Sequence, residues 1–134
     1  MPVSRVSSPV DIAISGLRAE ALRMKITAEN IANARTTRTE AGGPYRRKSV
    51  VLSAGAGVGG VEVGSVTAET SGFLKKVYMP GHPDADEDGM VGMPNIDLPV
   101  EMINMMIASR AYQANAAILK RYQDMVNATL ELLR

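Results

Sequence analysis

Two stretches near the ends of the chain repeat apolar residues at alternating spacings of three and four. This spacing places the apolar side chains on one side of an α-helix, so it predicts one helix over residues 10–34 and another over residues 97–133. Asp11 is the predicted cap of the first helix, and Asp97 followed by Pro99 is the predicted start of the second. Each apolar stripe is a heptad seam, the pattern of a helix that packs against another helix.

The second predicted helix is too long and too apolar to be covered by its own chain. A second apolar row runs beside its seam, so it needs cover from more than one side. With about 37 residues it would be roughly 55 Å long, whereas a compact chain of this length is about 36 Å across. We therefore expect helices of other subunits to cover the seams. The predicted contact residues are Ile14, Leu17, Ala21, Met24, Ala28 and Ile31 in the first helix, and Met102, Met105, Tyr112, Ala116, Leu119, Val126, Leu130 and Leu133 in the second.

The part of the chain between the two helices has a different pattern, in which short apolar runs alternate with glycine-rich stretches. The predicted strands are residues 45–52, 61–69 and 73–79. The alternation of valines slips between Val63 and Val66, which predicts a β-bulge near Gly64. We expect a small β-hairpin element at this place.

These patterns together predict a fold that is mainly α with a small β element. The long N- and C-terminal helices are expected to pair as a coiled-coil-like helical domain, with the short β-hairpin segment between them. The expected segments are an N-terminal helical segment at 1–40, a β and loop segment at 41–95 and the C-terminal helix at 96–134.

Composition narrows the possible functions. The 134 residues include no cysteine and a single histidine, which leaves few ways to build a nucleophile–base pair or a transition-metal site. We therefore predict no enzyme activity, no catalytic residue and no cofactor. The net charge of +1 indicates no general attraction to nucleic acid or membranes. No apolar run approaches the roughly 20 residues of a membrane span, and the N-terminus lacks the layout of a cleaved signal peptide.

A glycine pattern in the middle of the chain matches the dinucleotide-binding motif by spacing alone. Gly55, Gly57 and Gly60 satisfy G-x-G-x-x-G after a predicted strand. The motif also requires a helix to begin there, because the pyrophosphate binds to the helix N-terminus. The following residues, VEVGSVT, alternate like a strand instead, so we predict a hairpin loop.

The stretch HPDADEDG at residues 82–89 resembles the first half of an EF-hand calcium loop. With Asp84 at the first position, the twelfth position is Asn95, where the motif requires a bidentate glutamate. Prolines flank the loop, whereas an EF-hand loop joins two helices. We predict a solvated acidic turn and no metal site, and we keep a calcium-binding module as an alternative function.

Residues 35–48 hold five basic residues and Tyr45. Such a cluster with an aromatic residue is compatible with a coiled-coil protein that binds nucleic acid through this segment. The interpretation we favour is a charged edge strand or a patch for an acidic protein partner, without nucleic acid.

Three segments carry a resemblance to a known family. They are SGLRAEALRMKITAENIANARTTRT at 15–39, GGPYRRK at 42–48, and the run from HPDADEDG to NATLELL at 82–133. Together they resemble the bacterial flagellar axial proteins, a family of rod, hook and related subunits. The motifs NIANA and SRAYQAN are general to the family, whereas PYRRK and HPDADEDG resemble the proximal-rod members.

The resemblance implies a structural subunit whose two terminal helices pack into the inner tube of the flagellar rod. It implies that the rod crosses the periplasm and transmits torque from motor to hook and filament. The implied partners are other copies of the chain, other rod proteins, neighbouring basal-body components and the flagellar type III export apparatus. It also implies that the acidic loop is a fixed connection leading into the C-terminal helix.

Overall fold

A computed structural model describes residues 8–55, 59–70 and 74–133. Its elements in chain order are α1 (Pro9–Ala32), β1 (Lys48–Ala54), β2 (Val61–Ala68), β3 (Lys75–Tyr78), β4 (Met90–Met93) and α2 (Leu98–Leu132). β1 pairs with β2 and β3 pairs with β4, so the strands form two separate antiparallel hairpins. The predicted class, two long terminal helices with a small β element between them, is confirmed.

The start of α1 differs from the prediction. Its N-cap is Ser8, whose Oγ accepts a hydrogen bond from the Val10 N–H at 3.3 Å. Asp11 lies inside the first turn, where its carboxylate accepts from the Ser8 N–H at 3.3 Å and completes a capping box. The prediction of Asp11 as the cap was wrong, because Pro9 has the backbone angle of a first helical residue and the helix begins there.

The start of α2 is as predicted. Asp97 is the N-cap and its side chain accepts a hydrogen bond from the Val100 N–H at 3.3 Å, while Pro99 lies in the first turn. The helix has 35 residues, which corresponds to a length of about 52 Å. It therefore exceeds α1, with its 24 residues, by about three turns.

The two helices pack antiparallel, and two contacts fix their register. Gly16 lies against Asn115, so that a Cβ atom added at Gly16 would lie 2.7 Å from Asn115 Nδ2. At the other end, Asn30 Nδ2 donates to Glu101 Oε2 at 3.1 Å. The residue numbers of each pair add to 131, so the first residue of α1, Pro9, lies level with Tyr122. The last turns of α2 therefore extend past the end of α1.

Because Gly16 allows the close approach of the two helices, we predict that Gly16→Leu destabilises the pair. The larger side chain displaces Asn115 and forces the helices apart, at an expected cost of about 1 to 3 kcal/mol. Gly81→Leu is the control, because the space beside Gly81 is open. Urea denaturation followed by circular dichroism measures both variants. Equal stability of the two would contradict the packing at Gly16.

The β1–β2 hairpin lies along α1. Asn30 binds the backbone of Lys48 at the base of the hairpin, and the Val61 N–H near its tip donates to Ser15 Oγ at 3.0 Å. The register of the strands shifts between Val51 and Leu52, which leaves Gly64 unpaired. The predicted bulge is confirmed. The glycine loop at the tip includes Gly57, which lies outside the described residues.

The second hairpin contains a strand that the sequence analysis missed. The predicted strand at 73–79 is β3, although Phe73 lies outside the described residues. Its partner β4 has four residues and includes Gly92, so its pattern is too short to distinguish from a loop. Val91 of β4 is fully buried.

The buried core is small for a chain of this length. Within the described residues the buried apolar side chains are Ala13, Ala19, Ile26, Val91 and Ala108. Neither described helix combines the length and the apolar character that crossing a membrane requires. Much of the apolar surface of the helices thus remains outside the core.

Candidate assembly interface

α1 presents three sides, and two of them are covered by its own chain. Its buried residues, among them Ala13, Gly16 and Thr27, face α2 or the β1–β2 hairpin. The predicted seam lies on the third side. Four seam residues are half-buried, namely Ile14, Leu17, Met24 and Ile31. The other two, Ala21 and Ala28, are exposed. The stripe that packs within the chain is therefore displaced from the predicted seam.

The predicted seam of α2 is also mostly uncovered. Met105, Ala116 and Leu119 are half-buried. The exposed members are Met102 at 62%, Tyr112 at 37%, Val126 at 38%, Leu130 at 58% and Leu133 at 80%. The structure therefore brings the two seams to the surface of a single chain, and their contact with other subunits stays a prediction.

The most exposed apolar surface of α2 is the second row, which was absent from the predicted contact residues. Its large members are Val100, Ile103, Ile107, Ile118, Tyr122 and Met125, and each is between 38% and 58% exposed. None of these residues lines the space between α2 and the β1–β2 hairpin. A notch of about 180 Å³ separates the hairpin from α2 there, lined by Asn104 on α2 and by Val50 on β1. The row is visible in the sequence as a second 3.6-residue repeat.

One buried side chain joins α1, α2 and the hairpin. Asn30 is 1% exposed, and its amide donates to the Lys48 carbonyl at 2.8 Å and to Glu101 Oε2 at 3.1 Å. Its Oδ1 accepts from the Lys48 N–H at 2.9 Å and from the Tyr45 hydroxyl at 3.2 Å. Both donors and both acceptor sites of the amide are thus used. No other residue type of this size supplies that pattern.

A buried carboxylate, that of Glu101, belongs to the same network. Asn30, Glu101 and Arg47 are together called the joint. Glu101 is 1% exposed, and its Oε1 accepts a hydrogen bond from Arg47 Nε at 2.8 Å and lies 2.7 Å from Arg47 Nη2. This ion pair, with its charge-assisted hydrogen bond, holds the carboxylate against the guanidinium. The Arg47–Glu101 pair was not predicted from the sequence. The feature that could have indicated it is that Glu101 is the only charged residue in the apolar stretch 98–109.

The rest of the basic segment also finds partners within the chain. Lys48 Nζ lies 3.1 Å from Glu29 Oε2, and this hydrogen bond raises the pKa of Lys48 above its usual value. Burial raises the pKa of the neighbouring Tyr45 hydroxyl. Arg38 lies 3.5 Å from Asp84. Three of the five basic residues therefore have acidic partners within the chain, and Lys48 begins β1, which is an edge strand as in one of the favoured interpretations. A patch for an acidic protein partner stays a prediction for Arg35 and Arg46.

The acidic loop is the turn that joins β3 to β4. Asp86 Oδ1 accepts from the N–H groups of Met90 at 2.7 Å and Asp88 at 3.2 Å. The Met90 hydrogen bond is the largest cause that lowers the pKa of Asp86, and Lys76 contributes to the same direction. Gly89 has a φ of 73°, a conformation that favours glycine in such a turn.

The other carboxylate of the loop, Asp84, is held from a different part of the chain. Thr37 Oγ1 donates to it at 2.8 Å, and its own N–H donates to Nδ1 of His82 at 3.1 Å. In the described part of the chain, no group of three or more histidine, aspartate or glutamate side chains is arranged to hold a metal ion. The loop thus ties the second hairpin to the segment after α1.

Because the oxygens of Asp84 and Asp86 already bind protein groups, we predict that calcium does not bind here. A calorimetric titration of the chain with millimolar calcium should give no saturable heat. Asp84→Asn is the control for any heat that does occur. Saturable heat that disappears in this variant would contradict the prediction.

Two family models match the chain in the segments that form this architecture. One is described as "Flagella basal body rod protein" and matches residues 11–38, which include α1 from its third residue onward. The other is described as "Flagellar basal body rod FlgEFG protein C-terminal" and matches residues 87–132, which include β4 and α2. The matched segments contain both Asn30 and Glu101 of the joint.

Whole-chain relatives give the same result. The chain is 45% identical over 126 residues to the flagellar basal-body rod protein FlgC of Salmonella typhimurium, an alignment that covers 91% of this chain and 93% of that protein. It is 40% identical to FlgC of Agrobacterium fabrum, with 96% of each chain covered. It is 36% identical to FlgC of Borreliella burgdorferi, with 95% and 97% covered. The chain belongs to the FlgC family of flagellar basal-body rod proteins.

Membership of the FlgC family confirms the resemblance drawn from the sequence. The chain is a structural subunit of the bacterial flagellar rod, and its location is the flagellar basal body. The comparisons give no support to a calcium-binding module or to a nucleic-acid-binding coiled coil.

Proposed function

We propose that this FlgC-family chain polymerises through its terminal helices into the proximal rod, and that the rod transmits torque from the motor to the hook and filament. The supporting observation is the uncovered apolar surface of α2. Ile103, Met106 and Ile107 are each more than half exposed, as are Met125 and Leu130 further along the helix. Exposed groups of large apolar side chains on a soluble protein mark contact sites.

The partners of this surface are other rod subunits. As a basal-body rod protein the chain assembles with other components of the rod. We propose that these are further copies of the chain and neighbouring rod proteins, which contact the seam residues on one side of the helix pair and the second row on the other. Contacts between different faces of successive subunits generate an open helical tube when the rotation between subunits does not close into a ring.

Two further parts of the proposed function concern how the chain is exported and its lack of catalytic activity. Family membership supports delivery through the flagellar type III export apparatus without a cleaved signal, and a rod that crosses the periplasm. A structural role also supports the absence of catalytic activity. Both parts of the proposal rest on the family rather than on a feature of the site.

An electron-microscopic map of intact basal bodies, with this chain placed in the density, tests the proposal. We expect the terminal helices in the inner wall of the rod, with both apolar rows of α2 in contact with neighbouring subunits. A chain placed outside the rod, or an α2 whose rows face solvent, would refute it.

A further inference from the structure

We propose that Asn30 and Glu101 are positioning residues that fix the β1–β2 hairpin against the helix pair before the subunit assembles. In this view the hairpin and the helices enter the rod as one pre-oriented body. The neighbouring subunits then do not set the angle between them. The inference concerns the free chain and goes beyond the proposed function.

The hairpin is attached to α1 near its base and near its tip. At its base, Asn30 binds both the N–H and the carbonyl of Lys48, as a neighbouring strand would. The described residues of the hairpin strands form only two other hydrogen-bonded contacts with α1. These are the Lys48–Glu29 ion pair and the hydrogen bond from the Val61 N–H to Ser15 Oγ. Of these attachments, only the one at the base also reaches α2, because Asn30 donates to Glu101 and Glu101 binds Arg47.

On the side of α2 the hairpin has little other support. The notch separates the hairpin from α2, and β2 is exposed along its whole length. Among residues 8–55, 59–70 and 74–133, the Arg47–Glu101 pair is the one hydrogen-bonded link between α2 and the segment that enters β1. A lone two-stranded hairpin has little stability of its own. Without the joint, only the contact of the hairpin with α1, which includes the Val61–Ser15 hydrogen bond, would define its direction relative to α2.

Polar side chains, rather than apolar ones, form the joint. Every donor and acceptor of the Asn30 amide is used, and Glu101 is buried with Arg47 as its counter-charge. A fully satisfied buried network has one favoured geometry, because a displaced Asn30 or Glu101 side chain, each 1% exposed, would lose its partners at a buried position. Such a network specifies an orientation as well as contributing to stability. Hydrophobic contacts alone would tolerate sliding.

The test uses spin labels on a chain that contains no native cysteine. Ser53→Cys on β1 and Arg110→Cys on α2 place two labels at exposed positions. Double electron–electron resonance spectroscopy then measures the distance between the two spin labels in the dilute free subunit. We expect a single narrow distance peak in the parent chain.

The decisive variant is Asn30→Asp in this background. The substitution preserves the size of the side chain but replaces the amide NH2 group by an oxygen. The Glu101 carboxylate and the Lys48 carbonyl then face an acceptor instead of a donor. We expect the narrow peak to be lost while the circular dichroism of the helices remains. Asn127→Asp, which makes the same change at an exposed position of α2, should leave the peak unchanged.

Three results would overturn the inference: a broad peak in the parent chain, a narrow peak in Asn30→Asp, or equal broadening in Asn127→Asp. If Asn30→Asp loses its helical signal, the comparison passes to Arg47→Lys, which keeps the charge but not the two-point contact. Broadening of the peak is expected there, and a peak as narrow as in the parent chain would overturn the inference. Neither outcome depends on whether the rod contact surface is correctly assigned.

Discussion

Leu130→Asp is expected to leave the free subunit folded and to keep it out of the rod. Leu130 is 58% exposed in the single chain, so the substitution removes no intramolecular packing of consequence. In the rod the same position is proposed to lie between subunits. A buried carboxylate without a partner costs several kcal/mol, or binds a proton through a large pKa shift. Every copy would carry this cost, so cells that produce only the variant should lack flagella.

The measurement is swimming in soft agar together with electron microscopy of isolated basal bodies. Lys120→Asp is the matched control, because Lys120 is exposed and lies among polar residues of the same helix. We expect control cells to swim. Leu119 is a less suitable position, since it is half-buried and its side of α2 faces α1, so a charge there would also affect folding of the single chain. Normal rods with Leu130→Asp would show that this side of α2 faces solvent.

Arg47→Met is expected to give the largest loss of stability in the free chain. The substitution removes the counter-charge of Glu101, whose side chain is only 2% exposed, while the Arg47 side chain itself is 31% exposed. Breaking a buried ion pair from one side leaves an uncompensated charge, and the expected cost here is about 2 to 4 kcal/mol. A marginally stable subunit of this size cannot lose that amount without measurable unfolding.

Urea denaturation of the dilute chain, followed by circular dichroism, measures this effect. Arg46→Met is the control, because Arg46 is adjacent and exposed and forms no ion pair among the residues that the structure describes. The two variants change the same charge and the same side-chain length. A shift of similar size in both would mean that the Glu101 contact contributes little, and that the cost arises from net charge alone.

The helices could be predicted from the sequence because their signals are local. Apolar residues at helical spacing, Asp97 as a cap and Pro99 in the first turn are each sufficient within a few residues. The bulge at Gly64 was predictable for the same reason, since the alternation of valines slips at that position. The error at Asp11 arose because Ser8 and Asp11 cap the same turn together, and the pattern does not rank them.

The joint could not be predicted, because its members are distant in sequence. Arg47 is separated from Glu101 by 54 positions and Asn30 from Glu101 by 71. No periodicity connects such positions, and only the antiparallel packing of α1 on α2 brings them together. The same reason explains the basic segment, whose acidic partners Glu29, Asp84 and Glu101 come from three different parts of the chain.

The sequence also could not predict which side of each helix packs within the chain. Both apolar rows of α2 have the spacing of a contact face, and periodicity alone does not show which neighbour covers which row. In the structure α1 covers only part of this surface, so the second row and the end of the predicted seam remain exposed. Close packing at Gly16 sets this arrangement, and that contact depends on Asn115 of the other helix.

The reactivity of a single cysteine at position 125 tests the central claim, that neighbouring subunits bury the exposed surface of α2. Met125 is 58% exposed in the free chain, and the chain has no native cysteine, so Met125→Cys introduces one thiol. A maleimide reagent is applied to the free chain, to intact rods and to rods dissociated afterwards, and the mass of this chain is measured. The account predicts rapid labelling of the free and dissociated chain and none in intact rods. Labelling of intact rods at the rate of the free chain would contradict it.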